Sequence, residues 1–160
     1  LNVRLARVVD CNESLAAELK ASREQLENQN RIANMQIANR ELSQSKLANS
    51  DICRKIRAVL NDNTCERCDK KIPKDYWLML DAEVNRHYAG FKDRLTELCK
   101  ISEYEYRLCL LLKIGVRPAD ISILTNKERN SVSSARKRLY KKVFGKDAEP
   151  KMWDEFIQSL

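Results

Sequence analysis

The chain has 160 residues and a formal net charge of +7, with 30 Lys and Arg against 23 Asp and Glu. This length suits one ordinary domain, or a small domain with an extension. No stretch approaches the ~18 consecutive apolar residues of a membrane span, and no signal-peptide pattern is present. The six Cys are scattered, several of them within apolar helical patterns, which predicts reduced thiols in a cytoplasmic protein rather than a disulfide framework.

The first 60 residues contain no Gly, Pro or aromatic residue and are rich in Leu, Ala, Glu, Gln, Asn and Arg, a composition that predicts one long helix. Apolar residues fall on a seven-residue frame and on its companion seam: Leu5, Leu19, Leu26 and Leu47, with Val8 and Leu15. Polar residues interrupt both seams, and the apolar positions shift after residue 30. We predict a weak coiled coil over residues 1–60 that forms a homodimer. The alternative is a long helix packed back on its own domain.

Within that region, Ser50 and Asp51 are predicted to form the N-cap of a short helix with an apolar face. Residues 61–73 are polar, lack periodicity and contain a Pro, which predicts a linker. In this linker Cys65 and Cys68 form a C-x-x-C pattern, which is half of a zinc site or a redox pair. No second paired spacing accompanies it. We therefore predict no metal site and no cofactor, with these two residues as the weak candidates.

Residues 74–160 are predicted to form a helical domain. Apolar residues recur at three or four residues between Trp77 and Leu98, which predicts one or two amphipathic helices bent near Gly90. No convincing alternating strand pattern appears anywhere, so we predict an all-α chain. No nucleophile stands beside a base and no Gly-rich phosphate loop exists, so we predict no catalytic residue and no enzymatic activity.

Residues 102–146 are predicted to contain three consecutive helices. Ser102 and Glu105 have the spacing of a capping box before a Leu-rich helix, which Gly115 would end. Pro118 suits the first turn of a second, short helix. A polar turn then leads into a third helix over about residues 129–143.

The third helix carries the charge of the protein. Residues 127–146 contain eight Lys or Arg and one acid, a local charge of +7, while the other 140 residues carry 22 basic and 22 acidic groups. The basic residues fall on the open face of a helix that follows a short helix after a tight turn, which is the helix-turn-helix arrangement. Such a face neutralises phosphates, and small polar side chains at the helix start reach base edges in the major groove.

We therefore predict a transcriptional regulator that binds double-stranded DNA and uses the coiled coil for dimerisation and signal transmission. The candidate DNA-binding residues are Lys127, Arg129, Asn130, Ser131, Ser133, Ser134, Arg136, Lys137, Arg138, Lys141 and Lys142. The alternative is a coiled-coil scaffold whose basic surface binds an acidic protein or a membrane surface.

The same region resembles the LuxR-type helix-turn-helix. The corresponding residues are Glu105, Leu108 to Leu112, Gly115, Ile121-Ser122, Ser131-Val132, Arg138-Leu139 and Lys142-Val143. Three positions depart from that pattern: Ser122 replaces a small Ala, Lys127 replaces an apolar turn residue, and Gly145 falls one residue late. The spacing is also similar to region 4 of bacterial sigma factors.

A wider resemblance covers nearly the whole chain. A predicted coiled coil precedes Trp77, Tyr88, Phe91 and Leu95, the three-helix region follows, and the chain closes on D-E-F-I-Q-S-L. This order is similar to the cytoplasmic end of bacterial membrane-tethered regulators, in which tetratricopeptide repeats and one membrane helix precede a coiled coil and a DNA-binding end. The resemblance implies an upstream sensor, a membrane segment, a dimer and transcriptional control.

Overall fold

A computed structural model describes residues 2–62, 64 and 70–160 of the chain. These residues form eight α-helices and no strand, so the prediction of an all-α chain is confirmed for this part. The helices are α1 (Asn2–Ala48), α2 (Asp51–Asn61), α3 (Lys74–His87), α4 (Phe91–Leu98), α5 (Glu103–Lys113), α6 (Pro118–Leu124), α7 (Arg129–Phe144) and α8 (Pro150–Ser159). None of these helices combines the length with the apolar character that crossing a membrane requires.

The chain divides into two compact units, residues 1–42 and 43–160. The first unit is the greater part of α1, so the predicted long helix is present. The side chains of residues 6–42 are exposed, including four on the predicted seams: Val8, Leu15, Leu19 and Leu26, at 50% to 70% exposure. A helix with an exposed apolar stripe at heptad spacing has a surface suited to a second helix.

The division after residue 42 differs from the predicted division after residue 60. Leu47 is 1% exposed and belongs to the core of the second unit, although its spacing had placed it on the coiled-coil seam. In α2, Ile52 and Ile56 are buried in the same core. Ser50 begins α2 as its N-cap, as predicted, and accepts a hydrogen bond from the backbone N–H of Cys53. The apolar face of α2 therefore packs as a domain helix does.

The core of the second unit is contributed by every helix from α2 to α8. Its fully buried large side chains include Ile56, Leu80, Phe91, Leu95, Leu108, Leu111, Ile121, Leu139, Trp153 and Ile157. The bend predicted near Gly90 is a break between α3 and α4, where Gly90 has φ 74°. A left-handed backbone is accessible to Gly at little cost because it has no Cβ.

The start and the end of α5 follow the predicted signals. Ser102 and Glu105 form a capping box, in which the Ser102 side chain accepts from the Glu105 N–H and the Glu105 side chain accepts from the Ser102 N–H. At the other end, the N–H of Gly115 donates to Leu112 O and that of Val116 donates to Leu111 O, both at 3.0 Å. This is the Schellman pattern of a helix C-terminus.

Helix α8 packs on the sides of α5 and α7 that face the core. Trp153 and Ile157 are fully buried there. Lys113 of α5, 2% exposed, donates from Nζ to the carbonyls of Ile157 and Gln158 at 3.1 and 3.0 Å. A cation at the C-terminal carbonyls of a helix is favourable because these groups carry the negative end of the helix dipole. The last helix therefore folds back on the rest of the second unit.

Candidate nucleic-acid interface

A tight turn joins α6 to α7. The N–H of Asn126 donates to Ile123 O at 3.2 Å and that of Lys127 donates to Ser122 O at 3.0 Å, which is again the Schellman pattern. Asn126 takes the left-handed position, with φ 51°. Asn is one of the few residues with a Cβ that visits this region readily. The turn therefore fixes the direction in which α7 leaves α6.

One face of α7 is buried in the second unit. Val132, Ala135 and Leu139 are at most 1% exposed and lie in the core with residues of α5 and α6. This spacing of three and four residues is the buried stripe of an amphipathic helix. The opposite face of α7 is consequently turned to solvent.

The exposed face of α7 holds most of the predicted DNA-binding residues. Those exposed on it or on the preceding turn are Lys127, Arg129, Asn130, Ser131, Ser134, Lys137, Arg138, Lys141 and Lys142. Ser133 is half-buried and Arg136 is buried. The structure therefore brings nine of the eleven predicted residues to the surface of one helix and the turn before it.

A shallow groove runs beside the first half of α7. It has a volume of about 470 Å³ and is lined by Tyr104, Lys127, Asn130, Ser131, Ser134 and Arg138. Apart from the Tyr104 ring, its walls present amide, hydroxyl and cationic groups. These groups can donate hydrogen bonds to phosphate oxygens and to base edges.

Glu105 organises the second half of the exposed face. Its side chain is 4% exposed and lies 3.1 Å from Arg138 Nε and 3.3 Å from Lys142 Nζ. Lys142 Nζ also donates to Lys100 O at 3.2 Å. Burial alone would raise the pKa of Glu105, but hydrogen bonds from Ser102, Arg138 and Lys142 outweigh it and hold that pKa below its usual value. A carboxylate of α5 thus holds two cations of α7 in place.

The remaining cations on this face are less constrained. Lys141 pairs with Asp147 at 3.1 Å, with side chains 60% and 84% exposed, so this surface pair contributes little stability. Arg129 and Lys137 make no ion pair with any residue that the structure describes. These cations can reach an anionic partner without first breaking a buried contact.

Arg136 is buried and has a structural role. Its side chain is 8% exposed and forms a two-pronged ion pair with Asp154 of α8, in which Nε lies 2.7 Å from Oδ1. If Arg136 bound a phosphate instead of Asp154, the partly buried carboxylate of Asp154 would lose its partner, which is costly. We therefore leave Arg136 out of the candidate interface, although its charge and sequence position had placed it there.

The predicted metal candidates, Cys65 and Cys68, lie outside the described residues. Within the part of the chain that is described, no three His, Cys, Asp or Glu residues come together as a metal site. His87 contacts Glu83, with 3.2 Å between Nε2 and Oε1. Cys109 is fully buried, and this burial raises the pKa of its thiol.

Two features of this surface could not be predicted from the sequence. Tyr104 was not among the predicted residues, and nothing in the sequence marked its ring as a groove wall. The capping-box spacing identified Glu105, but not its contacts with cations 33 and 37 residues later. Such contacts depend on how α5 and α7 cross, which a one-dimensional pattern does not contain.

Comparisons with protein-family models, with curated protein sequences and with solved structures find no match for this chain.

Proposed function

We propose that the chain is a DNA-binding transcriptional regulator in which α6 and α7 act as a helix-turn-helix and α7 enters the major groove. The observation that carries this proposal is the composition of the exposed face of α7. Small polar side chains, Asn130, Ser131 and Ser134, stand at its start, and Lys137 and Lys141 follow on later turns. Small groups let the helix start approach the base edges, while the later cations meet phosphates.

The turn before α7 supports the same function. Its Schellman hydrogen bonds fix the angle between α6 and α7, and a recognition helix needs such a fixed support. Glu105 adds a second constraint because it holds Arg138 and Lys142 on the α5 side of α7. A surface that only attracted acidic proteins would need the charge, but neither the small polar start nor the rigid presentation.

We further propose that two copies of the chain pair through α1. Val8, Leu15, Leu19 and Leu26 are exposed at the heptad spacing on which a parallel coiled coil is built. A second copy of the same helix offers the same stripe, and closed two-fold pairing is the commonest way in which identical chains associate. A dimer would place two copies of α7 on neighbouring half-sites of the DNA.

Selection of genomic DNA fragments by the purified chain tests sequence reading. We expect the wild type to enrich a defined motif, repeated with two-fold symmetry, and the variant Asn130→Ala/Ser134→Ala to lose or relax part of it. Lys74→Ala, at an exposed site on α3, is the control and should select the wild-type motif. Fragments that bind without any common motif would contradict a base-reading helix, and a motif without a repeat would contradict the dimer.

A further inference from the structure

A second groove lies next to the α6–α7 turn. It has a volume of about 460 Å³, and the residues that matter for its chemistry are Lys71, Trp77, Tyr104, Arg107, Asn126 and Lys127. Tyr104 and Lys127 also line the groove beside α7. The two grooves are therefore neighbours on one surface of the second unit.

The segment before α3 supplies one wall of this groove. Ile72 is 7% exposed in the core and anchors the backbone at this point. The two lysines before it have different positions: Lys70 donates from Nζ to Leu60 O at 2.7 Å, whereas Lys71 is exposed and lines the groove. Residue 71, which the sequence assigned to a linker, is thus fixed beside the turn.

The other cations of the groove are held by aromatic rings. The guanidinium of Arg107 lies 5.0 Å from the centre of the Trp77 ring, and the ammonium of Lys127 lies 5.8 Å from that of Tyr104. At these distances an aromatic ring attracts a cation, and this attraction helps to orient the side chain. Among the residues that the structure describes, Glu103 is the only carboxylate in the lining; it pairs with Arg107 and is 77% exposed. Because an exposed pair of this kind contributes little stability, Arg107 can leave Glu103 for another anion at little cost.

We propose that this groove binds a phosphate of the DNA backbone beside the base pairs that α7 contacts, with Lys71 as a phosphate-binding residue outside the helix-turn-helix. The inference rests on the proposed function. Three cations and the amide of Asn126 surround the groove, and a phosphodiester is the anion that a duplex bound at α7 would bring to it. The shared wall of Tyr104 and Lys127 makes the two grooves one continuous path for a backbone strand.

The test compares Lys71→Ala with Lys74→Ala in the full chain. Both remove one exposed lysine three residues apart, but Lys74 lies outside the groove. Binding of a mixed-sequence DNA duplex is measured by fluorescence anisotropy at several salt concentrations. Because each lost phosphate contact lowers the slope of log K against log salt by about 0.9, Lys71→Ala should show that loss for each bound copy and bind about five- to tenfold more weakly per copy at ~0.1 M salt. Lys74→Ala should match the wild type.

The possible results separate the two proposals. If ethylation of one phosphate weakens DNA binding by the wild type but not by Lys71→Ala, that phosphate is assigned to the groove. If wild type binds and the two lysine variants behave alike, the groove proposal is wrong and the function of α7 stands. If wild type binds no duplex, the proposed function fails and the groove proposal fails with it.

Discussion

Replacing Asp154 with Ala is expected to lower the free energy of unfolding by about 3 kcal/mol, as is typical when one partner of a buried ion pair is removed. The change leaves the guanidinium of Arg136 unpaired in a position where its side chain is 8% exposed. The figure is at the low end of the usual range because Asp154 itself keeps 23% of its side chain exposed. Urea unfolding followed by circular dichroism measures the loss.

The neighbouring residue on α8 provides a matched control. Glu155 pairs with Lys151 at 3.6 Å, and these side chains are 57% and 83% exposed. Glu155→Ala removes the same charge from the same helix and should change stability by less than about 0.5 kcal/mol, as exposed pairs usually do. Equal losses in the two variants would mean that helix charge, and not the α7–α8 ion pair, sets the stability.

Replacing Glu105 with Gln is expected to cost about 2 kcal/mol at neutral pH, since hydrogen bonds to a charged group are stronger than neutral ones. The variant keeps the shape of the side chain but loses the charge that faces Arg138 and Lys142. In the folded chain the pKa of Glu105 is lowered. Its carboxylate therefore adds stability that is present above the unfolded pKa of about 4.3 and is lost as pH falls through the folded pKa.

The pH profile separates this ionic role from a merely structural one. The difference in stability between wild type and Glu105→Gln should be constant above about pH 5 and shrink in more acidic solution. Glu103→Gln, on the same helix but 77% exposed, should differ little from wild type at any pH. A Glu105→Gln deficit that stays the same down to the acid transition would show that the carboxylate charge contributes nothing.

The helix ends were the part of the fold that local sequence encodes most completely. Ser102 with Glu105, Gly115 and Pro118 each act within one turn of their own position, so their spacing alone predicted where α5 ends and α6 begins. Gly90 predicted the break between α3 and α4 for the same reason. Local hydrogen bonds and allowed backbone angles decide such features, and both can be read from a short window.

The role of individual charges could not be predicted in this way. Arg136 and Lys137 are adjacent and both basic, yet one is buried against α8 and the other is exposed. The difference arises because residue 136 lies on the α7 face toward Asp154, eighteen residues later. Leu47 shows the same limit: it fits the heptad frame of α1, but it packs in the core of the second unit.

The proposed DNA binding depends above all on the exposed cations of α7, and a measurement of DNA affinity shows whether they bind phosphates. Lys137→Ala/Lys141→Ala is compared with Lys74→Ala/Lys151→Ala by fluorescence anisotropy on a mixed-sequence duplex. Each variant removes two exposed lysines. In each, one lysine belongs to an exposed ion pair (Lys141 or Lys151), and the other has no ion pair among the described residues.

We predict that, for each bound copy, the α7 variant binds about 30-fold more weakly at ~0.1 M salt and loses nearly two from the salt slope, because two phosphate contacts are removed from each copy. The control should bind as the wild type does. Equal affinities of the two variants, or a wild type without affinity for DNA, would contradict the account and favour an acidic protein or a membrane surface as the partner of this basic face.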